Sequence, residues 1–107
     1  MSTLRTNISD AINELNKLLR QTRDPEEESK LRRLRRVYFA LWEEVIKQDI
    51  DSSTPEFKDA IEELGLAHKT ALAAKNDVQK VVGAINRAVS AAKAVDKVVK
   101  LGIDLLA

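Results

Sequence analysis

The residues of this chain that are able to do chemistry are few and poorly placed for it. His68 is the one histidine and cysteine is absent, so a zinc site has too few donors to build from. No carboxylate stands at the three-residue spacing from His68 that a di-iron helix motif uses. Glu62 and Glu63, like Glu43 and Glu44, are adjacent and point to different sides of a helix, which keeps them from working as an acid–base pair. Ser9, Ser29, Ser52, Ser53 and Ser90 have no histidine near them in sequence, and no glycine-rich phosphate loop or Walker motif occurs. No catalytic residue, metal site or cofactor is expected, and the chain is not expected to be an enzyme.

Recognition is the better-supported chemistry. Lys30-Leu31-Arg32-Arg33-Leu34-Arg35-Arg36 keeps leucine at helical spacing and spreads cations over the rest of the surface, while Arg20 and Arg23 approach it across Asp24-Pro25. Guanidinium groups bind phosphate and carboxylate bidentately, so this cluster is the candidate patch for an acidic partner or a phosphate. The competing structural explanation pairs Glu26 with Lys30 and Glu28 with Arg32 at four-residue spacing, which makes the run an ordinary solvated helix face. Seven of the eight arginines nevertheless precede residue 37, and lysine carries nearly all positive charge after Pro55.

A second set of candidates is apolar. Tyr38, Phe39 and Trp42, joined by Phe57, have the composition of a core, yet Phe39 falls off the helical seam and is available as a partner anchor. Val82, Val89, Val98 and Ile103 widen the apolar face of the C-terminal segment beyond a simple seam, and are read as core or interface anchors.

The elements that position these residues are helices. From Phe57 to Leu106, apolar or small residues recur three and four apart in one heptad register, including Ala60, Leu64, Ala67, Ala71, Ala74, Val78, Val81, Ile85, Ala88, Ala92, Val95, Val99 and Gly102. Leu4, Ile8, Ala11, Leu15 and Leu18 form an earlier stripe, and Leu31, Leu34, Tyr38, Leu41 and Val45 another. Asp24-Pro25-Glu26-Glu27 and Ser53-Thr54-Pro55-Glu56 are helix starts, with a capping residue before proline and Glu27 placed to complete a capping box. No β-branched run alternates with polar residues between turn signals, so strands have no support.

These signals predict one all-α domain over residues 1–107, a four-helix up-and-down bundle with coiled-coil-like packing and helices over about 3–22, 25–48, 55–75 and 77–106. The break between the last two rests on Asn76-Asp77, asparagine for a left-handed stop and aspartate for a restart. The alternative keeps residues 55–107 as one helix, ~78 Å long, behind a helical hairpin and completed by dimerisation.

With 18 basic and 17 acidic residues the net charge is +1, and no global field recruits nucleic acid or an anionic membrane. Residues 1–10 lack the apolar core of a secretory signal, and no apolar run approaches the ~20 residues of a membrane span. A soluble cytoplasmic protein is expected. Its expected role is that of a non-enzymatic helical protein–protein interaction or oligomerisation module, binding another protein or a second copy of itself. Two alternatives are nucleic-acid binding through the basic patch and membrane engagement by an amphipathic segment over residues 78–107.

Overall fold

The computed structural model describes residues 3–75 and 77–102; Asn76, Ile103, Leu105, Leu106 and the side chain of Val78 lie outside the described set. It contains α1 (Leu4–Gln21), α2 (Pro25–Lys47), α3 (Pro55–Ala74), one 3₁₀ turn (Val78–Lys80) and α4 (Val81–Val99), with no strand among the described residues. The helices form a four-helix bundle.

The starts of α1, α2 and α3 have a local cause. Thr3 accepts from the backbone N–H of Thr6 at 3.1 Å. Asp24 Oδ1 accepts from Glu26 N at 2.8 Å and Glu27 N at 3.4 Å, with Pro25 opening the helix. Thr54 Oγ1 accepts from Phe57 N at 3.2 Å. Each bond satisfies a donor that the first turn leaves without an intrahelical acceptor. Glu27 does not complete a capping box; its Oε2 is buried without a hydrogen-bond partner.

The long C-terminal stripe folds back on itself. Asp77 N–H donates to Ala74 O at 3.1 Å, and Asp77 Oδ1 accepts from Gln79 N at 3.0 Å, so the aspartate ends one helix and starts the next turn. The longest dimension of the molecule is 39 Å, about half the ~78 Å of a straight rod, which removes the continuous-helix alternative. The radius of gyration is 13.1 Å, close to the ~13 Å of a compact chain of this size. A second copy is therefore not needed to cover the core.

Helix α4 also ends earlier than the stripe implied, at Val99 rather than 106. Lys100 turns into the left-handed region at φ 58°, its N–H donating to Asp96 O at 2.7 Å. Gly102, also at positive φ (76°), donates its N–H to Asp96 Oδ1 at 2.9 Å. A left-handed residue with a captured following amide is a helix stop that hydrophobic periodicity does not register.

The chain makes two antiparallel hairpins, α1–α2 and α3–α4, and docks them side by side so that α1 packs on α3 and α2 on α4. Polar bonds tie matching ends: Gln21 Nε2 donates to Ala74 O at 2.6 Å, and Gln48 Nε2 to Val99 O at 3.0 Å. Parallel neighbours therefore lie across the seam between hairpins, and the connection over residues 48–54 crosses the end of the bundle diagonally.

The core follows the stripes, with Leu4, Ile8, Leu15, Leu31, Leu41, Val81, Ile85 and Val95 all at most 4% exposed. Full burial of such a side chain contributes roughly 1.5–3 kcal/mol. Where α3 meets α4 the residues are small: Ala60, Ala74, Ala91 and Ala92 are 0% exposed, and this is the most extensive helix pairing in the molecule. Tyr38 is the largest buried side chain, 1% exposed, and its hydroxyl donates to Ala88 O at 2.7 Å across the α2–α4 seam. Burial, helped by the charge of Glu14, pushes its phenol well above the ordinary tyrosine range, so it acts as a neutral donor.

Candidate interaction site

The basic run of α2 fans out over several directions rather than forming one sheet of charge. Lys30 Nζ lies 3.7 Å from Glu26 and Arg32 pairs with Glu28, as the four-residue spacing anticipated. Arg35 is half-buried and turns toward α1, where its Nη1 donates to Asn16 Oδ1 at 2.8 Å. Arg36 is exposed on the outer face, and Arg20 and Arg23 are exposed at the turn joining α1 to α2. Arg33 is exposed and leans toward α4 with Lys30.

That lean builds the first site. Between α2 and α4 runs a groove of about 280 Å³, lined by Lys30, Arg33, Leu34, Val37, Ile85, Asn86 and Val89. Leu34 and Ile85 are the buried bottom, each 4% exposed, while Val37 and Val89 are half-buried walls. Val82, one turn before Ile85 and Asn86 and a heptad before Val89, stands 54% exposed and extends the apolar face of α4 beyond the groove. Sequence candidates from both sets thus meet here: Lys30 and Arg33 from the basic run, Val89 and its neighbour Val82 from the apolar face. Spacing within α2 and within α4 marked each group; their convergence depends on the pairing of the two helices.

A second cleft, about 350 Å³, opens between α1 and α3, lined by Asp10, Asn13, Glu14, Lys17, Leu18, Gln21, His68, Ala71, Leu72 and Lys75. His68 Nδ1 lies 2.6 Å from Glu14 Oε2 across the α1–α3 seam. Burial raises the Glu14 carboxyl above the ordinary glutamate range; His68 and Lys17 oppose the rise and Asp10 adds to it. His68 therefore does have a carboxylate partner, which its own helix does not supply. Sequence spacing missed the pair because Glu14 lies on a different helix, far away in the chain. A carboxylate–imidazole couple can exchange protons, yet the residues lining this cleft include no serine, threonine or cysteine nucleophile. Among the described residues no group of three or more His, Cys, Asp or Glu side chains is placed to hold a metal ion.

No family model, curated protein or solved structure matches this chain.

The remaining apolar candidates separate by burial. Tyr38 belongs wholly to the core, while Trp42 and Val98 are half-buried and packed against it. Phe39 is 45% exposed, as its position off the seam anticipated, and Ile46, two turns later on the same side of α2, is 46% exposed. Ile103 lies outside the described residues. The apolar face of α4 from Val81 to Val99 is largely consumed by the core, and among the described residues no helix is long and apolar enough to cross a membrane.

Proposed function

We propose that this chain is a non-enzymatic protein-interaction module that receives an acidic surface of a partner protein on the basic side of α2. The observation that supports this reading is the concentration of charge. Between Ser29 and Trp42 there are five cations and no acid. The chain as a whole is +1, so everything outside that stretch carries a net charge of −4. A local excess of this kind steers an oppositely charged partner and suppresses wrong ones. Exposed Phe39 on the same stretch offers an apolar anchor beside the charges.

Nucleic acid is the weaker occupant. Lys30 and Arg32 have carboxylate partners one turn away and Arg35 is engaged by Asn16, which breaks up the contiguous positive surface a phosphate backbone would follow, whereas a protein surface can use the exposed Arg36, three residues from Phe39, alone.

The test is cross-linked affinity capture with the wild-type chain and with Arg33→Glu/Arg36→Glu, each first checked for helical content. The expected result is a captured protein, lost with the charge-swapped variant, whose cross-links join α2 to an acidic stretch. Retention of nucleic acid alone, or of the same proteins by both chains, would falsify the proposal. Light scattering on the isolated chain decides whether that partner is a second copy.

A further inference from the structure

We infer that the outward stripe of α2 is self-complementary and pairs antiparallel with the same stripe of a second copy of this chain, Arg36 of each copy meeting Glu43 of the other with Phe39 at the centre. This rests on the interaction-module reading above and names the acidic surface which that reading calls for.

Spacing and burial define the stripe. Arg36, Phe39, Glu43 and Ile46 follow one another at three- and four-residue steps along α2, which places them on one side of the helix. Leu31, Leu34, Tyr38 and Leu41 point the opposite way, into the core. Arg36 and Glu43 are exposed, and the two apolar members stand 45% and 46% exposed. Leu72, Val82 and Leu101, the other large apolar side chains exposed among the described residues, stand singly on different segments, so α2 alone presents a line of them. Anchors seven residues apart on one face are the pattern by which a helix packs on another helix.

Charge selects the occupant. Lys30 and Arg32 have Glu26 and Glu28 as partners, but Arg36 and Glu43 form no ion pair among the described residues. They are opposite in sign and ~10 Å apart along the helix, with Phe39 three residues from one and four from the other. A two-fold axis passing beside Phe39 exchanges the two ends, so that each arginine meets a glutamate and the two phenylalanine rings meet at the centre. Parallel pairing would set arginine on arginine and glutamate on glutamate, which like-charge repulsion disfavours. The same axis brings Arg32 near Lys47 of the second copy, a repulsion that Glu28 on Arg32 partly offsets. From Arg36 to Ile46 the paired stretch is only ~16 Å long and falls short of the ~800 Å² per partner of a standard interface. The dimer is therefore a weak one that forms as concentration rises.

The test is sedimentation equilibrium of the purified chain over a concentration series from micromolar to millimolar, with helical content checked for each variant. The wild-type mass should rise from that of a monomer toward that of a dimer. Arg36→Glu and Glu43→Arg, both at exposed positions where folding is not at stake, should each weaken self-association by roughly tenfold or more, and Phe39→Ser should do the same. The double variant Arg36→Glu/Glu43→Arg should regain it. An equimolar mixture of the two single variants should also associate, because one copy then offers two acids and the other two cations at the paired positions. A wild-type chain that stays monomeric throughout overturns the inference. So does dimerisation untouched by the single variants, or a double variant and a mixture no stronger than either variant alone. If a different protein is captured and lost with Arg33→Glu/Arg36→Glu while the wild-type chain stays monomeric, the interaction-module reading stands and the self-pairing falls.

Discussion

Replacing Glu14 with glutamine should make the protein more stable at alkaline pH and leave it almost unchanged in acid. The Glu14 side chain is 15% exposed while His68, its partner across the α1–α3 seam, is 52% exposed. Burial therefore falls mainly on the carboxylate and raises its proton affinity. A carboxyl whose value is raised on folding holds its proton more tightly in the folded chain than in the unfolded one. The stability this contributes is fully present below the ordinary glutamate value and is lost as pH rises through the folded value. Glutamine keeps the shape and has no proton to lose, so the two proteins should match near pH ~4 and diverge above it. His68 and Lys17 oppose the rise, so the gain is the net of burial against their attraction. The loss on ionisation should lie between the ~0.2–1 kcal/mol scale of exposed pairs and the ~3–5 kcal/mol of an unpaired buried charge. A gain of about 1 kcal/mol at pH 8 corresponds to roughly 4–8 °C in Tm for a domain of this size. Thermal unfolding followed by circular dichroism at about pH 4 and about pH 8 measures it. A glutamine variant less stable than wild type at pH 8 refutes the assignment of Glu14 as a carboxylate strained by burial. His68→Ala supplies the reciprocal check: it removes a group that lowers the Glu14 carboxyl, so that carboxyl, followed by NMR titration, should rise further.

Other perturbations probe the packing. Tyr38→Phe removes the hydroxyl bonded to Ala88 O and should cost about 1 kcal/mol in chemical denaturation without altering helical content; no change would mean the bond contributes nothing net. Leu41→Asp places a carboxylate at a site 1% exposed and should abolish the cooperative unfolding transition, since its burial has no compensating partner. Ala91→Leu inserts three heavy atoms where α4 is 0% exposed against its neighbours, and should destabilise by ~1–3 kcal/mol through overpacking. A wild-type melting temperature for that variant would show that the alanine seam has room to spare.

What was legible in the sequence was what a single helix encodes. Leu31, Leu34, Tyr38 and Leu41 announced a buried face by spacing alone, and all four are buried. Asp24 and Thr54 marked helix starts because capping is a local bond. Asp77 was visible as a restart, but the heptad phase runs on through the turn after it, so periodicity could not tell a folded hairpin from a rod. The stop at Lys100 was hidden for a related reason: lysine carries no left-handed preference, and the aspartate that captures Gly102 looks like any surface acid. The docking of the two hairpins against each other was not legible at all. Which seam would bring Glu14 to His68, or Arg33 to Val89, depends on the docking of two hairpins, and no spacing within either hairpin specifies it.

The diagonal strap over residues 48–54 gives the molecule a natural point of division. Whole helices lie on either side of it, each hairpin's apolar face is complementary to the other's, and Asp49, Asp51, Ser52 and Ser53 are exposed. Severing the chain there removes covalent continuity and no helix, leaving two fragments whose mutual recognition is already encoded in their buried surfaces, the condition a split reporter requires.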